Sequence, residues 1–74
     1  MTKIGEFLAK KSINRASVAR KTGISKTRLS ELSNTDSVRV RADELYLIAL
    51  AIEVKPADLL DYVCEGLQLV EEGK

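Results

Sequence analysis

The fifteen residues Val18-Ala-Arg-Lys-Thr-Gly-Ile-Ser-Lys-Thr-Arg-Leu-Ser-Glu-Leu32 carry the strongest structural signal in the chain. Two helices that cross at about 90 to 120° over a short turn need a small residue where their backbones approach, a glycine in the turn and an apolar anchor on the second helix. Ala19, Gly23 and Leu29 supply the three, and Val18, Ile24 and Leu32 fill the remaining buried places. A short helical hairpin of another kind shares three or four of these six positions, so the neighbouring segments matter.

Around this stretch, Asn14 offers an N-cap for a helix over Arg15 to Thr22 with Val18, Ala19 and Thr22 inward, and Gly23 suits the left-handed position that ends it. Ser25 caps the next helix, Lys26 to Ser33, whose Leu29 and Leu32 face the core. Upstream, Ile4, Phe7 and Leu8 give a helical face to Lys3 to Lys11. Downstream, about Ala42 to Glu53 carries Leu45, Ile48, Ala49 and Ile52 at helical spacing, with Asp43 and Glu44 at the positive end of its dipole. Pro56 opens a fifth helix with Leu59, Leu60 and Val63 toward the core. Ser37-Val-Arg-Val-Arg41 alternates like a strand, but is short and follows a polar stretch, so it reads as a loop. The expected fold is all-α: a five-helix domain over residues 1–66 and a short tail over 67–74, whose Leu67-Gln-Leu-Val70 extends the fifth helix or packs on a partner.

At these residues the chain resembles the phage-repressor and Cro-like helix-turn-helix family, also called the Xre type. The resemblance spans Lys3 to about Val63: Val18-Ala-Arg-Lys-Thr-Gly-Ile-Ser25 looks like the family's turn region, and Leu47-Ile-Ala-Leu-Ala-Ile-Glu-Val-Lys-Pro-Ala-Asp-Leu-Leu60 is similar to its fourth and fifth helices. It implies DNA binding, with the third helix entering the major groove. Four departures stand out. Arg15 occupies the place where the family often has a phosphate-contacting Gln. Leu8 and Ser33 stand where it often pairs an Arg with a Glu, so both charges are missing together and none is stranded in the core. Glu53 and Thr35 replace glycines that often follow the fourth and third helices, which bears on loop geometry.

With Leu29 and Leu32 inward, Thr27, Ser30, Glu31 and Asn34 share the outer side of the third helix, flanked by Lys26 and Arg28. The resemblance places base readers at Lys26, Thr27 and Glu31 and a backbone contact at Asn34. Lysine matches guanine acceptors, threonine meets a thymine methyl and glutamate accepts from a cytosine amino group, and Arg28 joins this base-contacting set. Expected phosphate contacts are Arg15, Asn34, Arg39 and Arg41, the last two on charge and proximity alone. A solvated helix face is the competing explanation for all of them, and the preferred one for Arg20 and Lys21.

Charge is segregated along the chain. Residues 1–41 carry ten basic and three acidic side chains, a balance of +7, and the remainder carries two and eight, a balance of −6, leaving +1 overall. A polyanion-facing end and a self-associating or solvated end account for this, as do ordinary solvated helices. Other classes are disfavoured. Histidine is absent, which removes the usual acid–base residue and commonest metal ligand. Cys64 is the only cysteine, so neither an intrachain disulfide nor a Cys-cluster zinc site can form, and it reads as a small buried side chain. No catalysed reaction and no cofactor are expected. The longest apolar run, Leu45 to Ile52, is too short to span a bilayer, and the opening residues lack a secretory apolar core, so a cytoplasmic, nucleoid-associated protein is expected.

Two functional readings follow. The first is a homodimeric transcriptional regulator, expected to be a repressor, on a palindromic operator in double-stranded DNA, with the acidic and apolar C-terminal part as dimer surface. The second is an antitoxin or adaptor whose main partner is another protein docking on Leu67 to Val70.

Overall fold

The computed structural model describes residues 1–71. It contains α1 (Lys3–Lys10), α2 (Arg15–Thr22), α3 (Lys26–Asn34), α4 (Ala42–Ala51) and α5 (Pro56–Val63), with no strand among the described residues. The expected caps form. Asn14 Oδ1 accepts from Ser17 N at 3.2 Å and Ser25 Oγ from Arg28 N at 3.0 Å. Gly23 sits at φ 80°, ending α2 with its N–H on the Ala19 carbonyl at 3.0 Å. Thr22 is only half-buried; its hydroxyl donates back to the Val18 carbonyl and accepts from Ile24 N, which stiffens the turn.

The core joins Ile4, Phe7 and Leu8 of α1, Val18 and Ala19 of α2, Leu29 and Leu32 of α3, Leu45, Ile48 and Ala49 of α4, and Leu59 of α5. Helix α1 packs on α3 and α5, α2 packs on α3 and α4, and α4 packs on α5. Phe7 meets Tyr62 edge to face with centroids 5.1 Å apart. Leu8 and Ser33 are both buried, and the Ser33 hydroxyl is satisfied within its own helix, donating to the Leu29 carbonyl at 2.8 Å.

Several expectations need correction. Leu60 is half-exposed, not in the core, because Leu59, Tyr62 and Val63 set the inner face of α5 and Leu60 lies about 100° from Leu59 around the helix. Helix α4 stops at Ala51; Ile52 follows as its C-cap and still packs on the core. Cys64 is a free thiol at the C-cap of α5 and only partly buried. The segment after Gly66 does not continue α5: Gly66 turns the chain at φ 90°, and residues 67–71 run on without regular structure. Residues 72–74 of the expected tail lie outside the described residues.

Two joints tie the helices together closely. Thr2 caps α1 by accepting from Gly5 N at 3.0 Å, and it also binds the end of α3, its N–H to the Ser33 carbonyl at 3.0 Å and its hydroxyl to the Leu32 carbonyl at 2.6 Å. Gly5 lies so close to this end that an added Cβ would fall on the Ser33 carbonyl oxygen. After α4, Glu53 takes φ 59°, the left-handed geometry that glycine adopts freely, whereas Thr35 after α3 is extended at φ −109°. The two missing glycines therefore differ in consequence: one leaves a strained residue and the other leaves none.

Gly5→Ala should lower stability by about 1–3 kcal/mol despite alanine's better helix propensity, since backbone has to yield. Glu53→Gly should leave stability unchanged or raise it by up to about 1 kcal/mol, relief of left-handed strain being partly offset by glycine's freedom in the unfolded chain. Denaturant midpoints of the two variants check both signs; a neutral Gly5→Ala would mean that α1 and α3 can move apart at little cost.

Candidate nucleic-acid interface

Because Leu29 and Leu32 are buried, α3 presents its opposite side outward, and Lys26, Thr27, Ser30, Glu31 and Asn34 are all exposed there. Lys26 and Thr27 occupy the first turn of α3, immediately after its Ser25 cap, and their side chains make no hydrogen bond or ion pair among the described residues. Asn34 Nδ2 lies 3.4 Å from Ser30 Oγ at the other end of the helix. Arg15, half-buried at the start of α2, shares with Ala16, Lys26, Leu29 and Ser30 a shallow notch of about 170 Å³. The notch brings two cations from different helices to one rim, an arrangement that can hold one oxyanion against the outer edge of α3.

Arg28 is differently placed. Its Nε meets Glu44 Oε2 at 2.8 Å and its Nη2 meets Glu44 Oε1 at 2.9 Å, a two-point ion pair between α3 and the first turn of α4. Nη2 also donates to the Arg39 carbonyl at 3.0 Å, while Glu31 is more distant, 3.9 Å from Nη1. Glu44 accepts in addition from the Arg41 N–H at 2.9 Å, capping α4. The structure thus directs the Arg28 guanidinium toward α4 and the α3–α4 loop. Glu44 was legible only as a dipole partner, since no local spacing links residues sixteen apart in sequence.

The remaining cations lie on the α3–α4 loop. Arg41 pairs with the neighbouring Asp43 through Nε at 3.2 Å in an exposed contact. The Arg39 side chain is exposed and makes no ion pair among the described residues. The structure therefore gathers Lys26, Thr27, Glu31 and Asn34 on one helix face with Arg15 at its edge, and sets Arg39 and Arg41 apart on the adjoining loop. Among the described residues no cluster of three metal-ligating side chains is found, and no helix is long and apolar enough to cross a membrane.

The family model described as Cro/C1-type HTH DNA-binding domain matches residues 3–65. The chain belongs to this family. Comparison with curated proteins and with solved structures gives no significant match. As a Cro/C1-type helix-turn-helix protein it is a DNA-binding regulator of transcription, and the α2–turn–α3 unit is its helix-turn-helix.

The Arg28–Glu44 pair also sets a pH dependence. Hydrogen bonding from Arg28, with a further bond from the Arg41 N–H, holds the Glu44 carboxyl below the usual glutamate range against the opposing effect of partial burial, and the same pair holds Arg28 above its usual value. A carboxyl depressed on folding contributes stability that is complete above its unfolded value, about 4.3, and is lost as pH falls through the lower folded value. Glu44→Gln should therefore lower the melting temperature at pH 7 and flatten its decline below about pH 4.3. Melting curves of both proteins from about pH 7 down to about pH 2.5, a range that brackets the carboxylate titration, measure the effect; parallel declines would show that Glu44 is not a source of the acid sensitivity.

Proposed function

We propose that this Cro/C1-type protein is a repressor that binds a palindromic operator as a homodimer, with α3 in the major groove. The observation that carries this reading is the first turn of α3, where Lys26 and Thr27 stand exposed and unengaged at the end of the helix that reaches base edges in this docking mode. Lys26 meets guanine acceptors, Thr27 a thymine methyl, and Glu31 a cytosine amino group one turn on. Arg28 acts through Glu44, holding α3 against α4, and serves base reading by position. Arg15, Asn34, Arg39 and Arg41 take the phosphates on either side, Arg15 at the notch beside Lys26 and the two loop arginines beyond Asn34. Residues 1–66 form the DNA-binding unit, and the part from residue 67 onward contributes to the dimer. The protein works in the cytoplasm on the nucleoid, without a cofactor and without a catalysed reaction.

Dimerisation follows from the size of the DNA-facing surface. One small domain offers one short recognition helix, whereas two copies double that surface and fix half-sites about 34 Å apart. Exposed apolar side chains support it: Leu67, Leu69 and Val70 after the last helix, and Tyr46, Leu47 and Leu50 on α4 with Leu60 on α5. The same side chains favour the second reading, an antitoxin or adaptor that docks another protein. Purification from native lysate separates the two, since an adaptor brings a stoichiometric second chain and a homodimer does not.

Substitutions should divide by role. Lys26→Ala or Thr27→Ala should cost about 1–3 kcal/mol on the preferred operator and relax preference at particular base pairs, with little effect on unrelated duplex. Arg15→Ala should weaken all duplexes alike and reduce the slope of log K against log salt by roughly 0.9 for each phosphate no longer neutralised, hence nearly two units for a dimer. Titrations of selected and scrambled duplexes at several salt concentrations yield both quantities. Unchanged selectivity in the Lys26 and Thr27 variants would remove α3 as the reader.

A further inference from the structure

Glu31 is out of character with the exposed face of α3. Its neighbours there, Lys26, Thr27, Ser30 and Asn34, are basic or neutral, whereas Glu31 sets a half-exposed carboxylate among them. Its one ion-pair contact among the described residues is Arg28, three residues earlier, with Nη1 3.9 Å from Glu31 Oε1. That distance lies beyond hydrogen-bonding range, so the contact is Coulombic alone and screened by solvent.

Arg28 stays at that distance because its other nitrogens are engaged. Nε and Nη2 hold Glu44 at 2.8 and 2.9 Å, and Nη2 also donates to the Arg39 carbonyl at 3.0 Å. A guanidinium is planar and rigid, so fixing Nε and Nη2 fixes the place of Nη1 as well. The Glu44 side chain is 13% exposed and that of Glu31 51%, so the pair with Glu44 is both the shorter and the less screened of the two. One guanidinium between two carboxylates leaves a balance of −1, and the unbalanced charge stands at the exposed end, on the face that carries Lys26 and Thr27.

An unbalanced carboxylate in a duplex groove is repelled by phosphates whatever the sequence. It recovers that cost only where a base amino group, such as that of cytosine, donates to it. Repulsion relieved by some partners and not by others is a means of rejecting competitors. A cation drawn up to the carboxylate would remove both the repulsion and the selectivity. We propose that Glu44 is a specificity-determining residue: by holding Arg28 it leaves Glu31 unshielded, so that α3 rejects duplexes that offer no amino donor opposite Glu31. The proposal rests on α3 as the reader of bases and adds a positioning residue on α4 that acts through Arg28.

The ratio of affinities for two duplexes tests it, one selected by the parent protein from random DNA and the other its scrambled counterpart, at neutral pH and a temperature at which every variant is folded. Glu31→Gln removes the charge but keeps an acceptor; it should tighten the scrambled duplex and lower the ratio roughly tenfold. Glu44→Gln releases Arg28 to Glu31 and should act in the same direction, roughly three- to fivefold. In a Glu31→Gln background it should change the ratio no further. Arg28→Gln breaks the same joint between α3 and α4 but supplies no cation, and should leave the ratio at or above that of the parent. Equal falls in Glu44→Gln and Arg28→Gln would show a structural joint only and overturn the proposal, as would an unchanged ratio in Glu44→Gln or additive effects in the double variant. Should Glu44→Gln fail to fold, Thr35→Lys poses the same question with the joint intact, since a lysine four residues after Glu31 shields it; an unchanged ratio there also overturns the proposal. Lys26→Ala keeps two failures apart. If it lowers the ratio and Glu31→Gln does not, only the role of Glu44 is lost; if neither does, α3 is not the reader.

Discussion

Helix α3 is held at both ends, and the rest of the molecule depends on that. At its C-terminal end the carbonyls of Leu32 and Ser33, which lack partners within the helix, accept from Thr2. Gly5 lets α1 come down directly on this contact, because no side chain stands between the two backbones. Toward the other end Arg28 holds Glu44 at two points, and Glu44 in turn caps α4 through Arg41 N. Between these joints Leu29 and Leu32 are buried, so the helix has little freedom to roll. The proposed docking of α3 requires its side chains to be presented in a fixed register, and the groups that fix it do not include Lys26 or Thr27.

This arrangement divides the basic residues by task. Arg28 commits its charge to a carboxylate inside the domain, which makes it a poor attractor of phosphate at a distance but a firm strut. Lys26 and Thr27 have no such engagement, so their interactions remain for a ligand. Arg15 and Arg39 stay exposed enough to meet solvent or phosphate, and Arg41 shares its charge with Asp43 in an exposed pair that a phosphate can displace at small cost. Net charge near zero thus conceals a chain whose positive groups stand mainly on α2, α3 and the following loop.

Much of this architecture was legible in the sequence because its signals are local. Asn14, Gly23, Ser25 and Pro56 mark helix ends through their own backbone and capping chemistry, and Leu29 and Leu32 orient α3 through spacing alone. What escaped depends on partners remote in the chain. Gly5 reads as an ordinary glycine until Ser33 is seen against it, and Thr2 reads as a terminal residue until it is found binding α3. Arg28 flanks the outer side of α3 on the wheel, and only the position of α4 reveals where its guanidinium goes. Leu59 and Leu60 are equally apolar neighbours, so composition cannot say which one the core takes. At Glu53 the missing glycine was visible as a departure, but the sign of its consequence required the backbone angle. The exposed face of α3 was visible from the wheel; the two-point hold of Arg28 on Glu44 was not.

The Leu8 and Ser33 pair shows how a domain this small can do without a buried ion pair. Where the family often joins α1 to α3 through opposite charges, Leu8 fills the space with apolar contact and Ser33 returns its hydroxyl to the Leu29 carbonyl. Replacing a buried pair by apolar packing is often neutral or stabilising, provided that neither charge remains alone. The exchange also transfers the task of orientation. An ion pair fixes two helices by direction, whereas apolar packing leaves them free to slide, so direction has to come from elsewhere. The Thr2 bonds and the Gly5 approach supply it at one end of α3, and Arg28–Glu44 supplies it toward the other, where the pair is nearer solvent and bears a smaller desolvation cost than one in the core. Polar specificity has moved from the centre of the fold toward the two ends of α3.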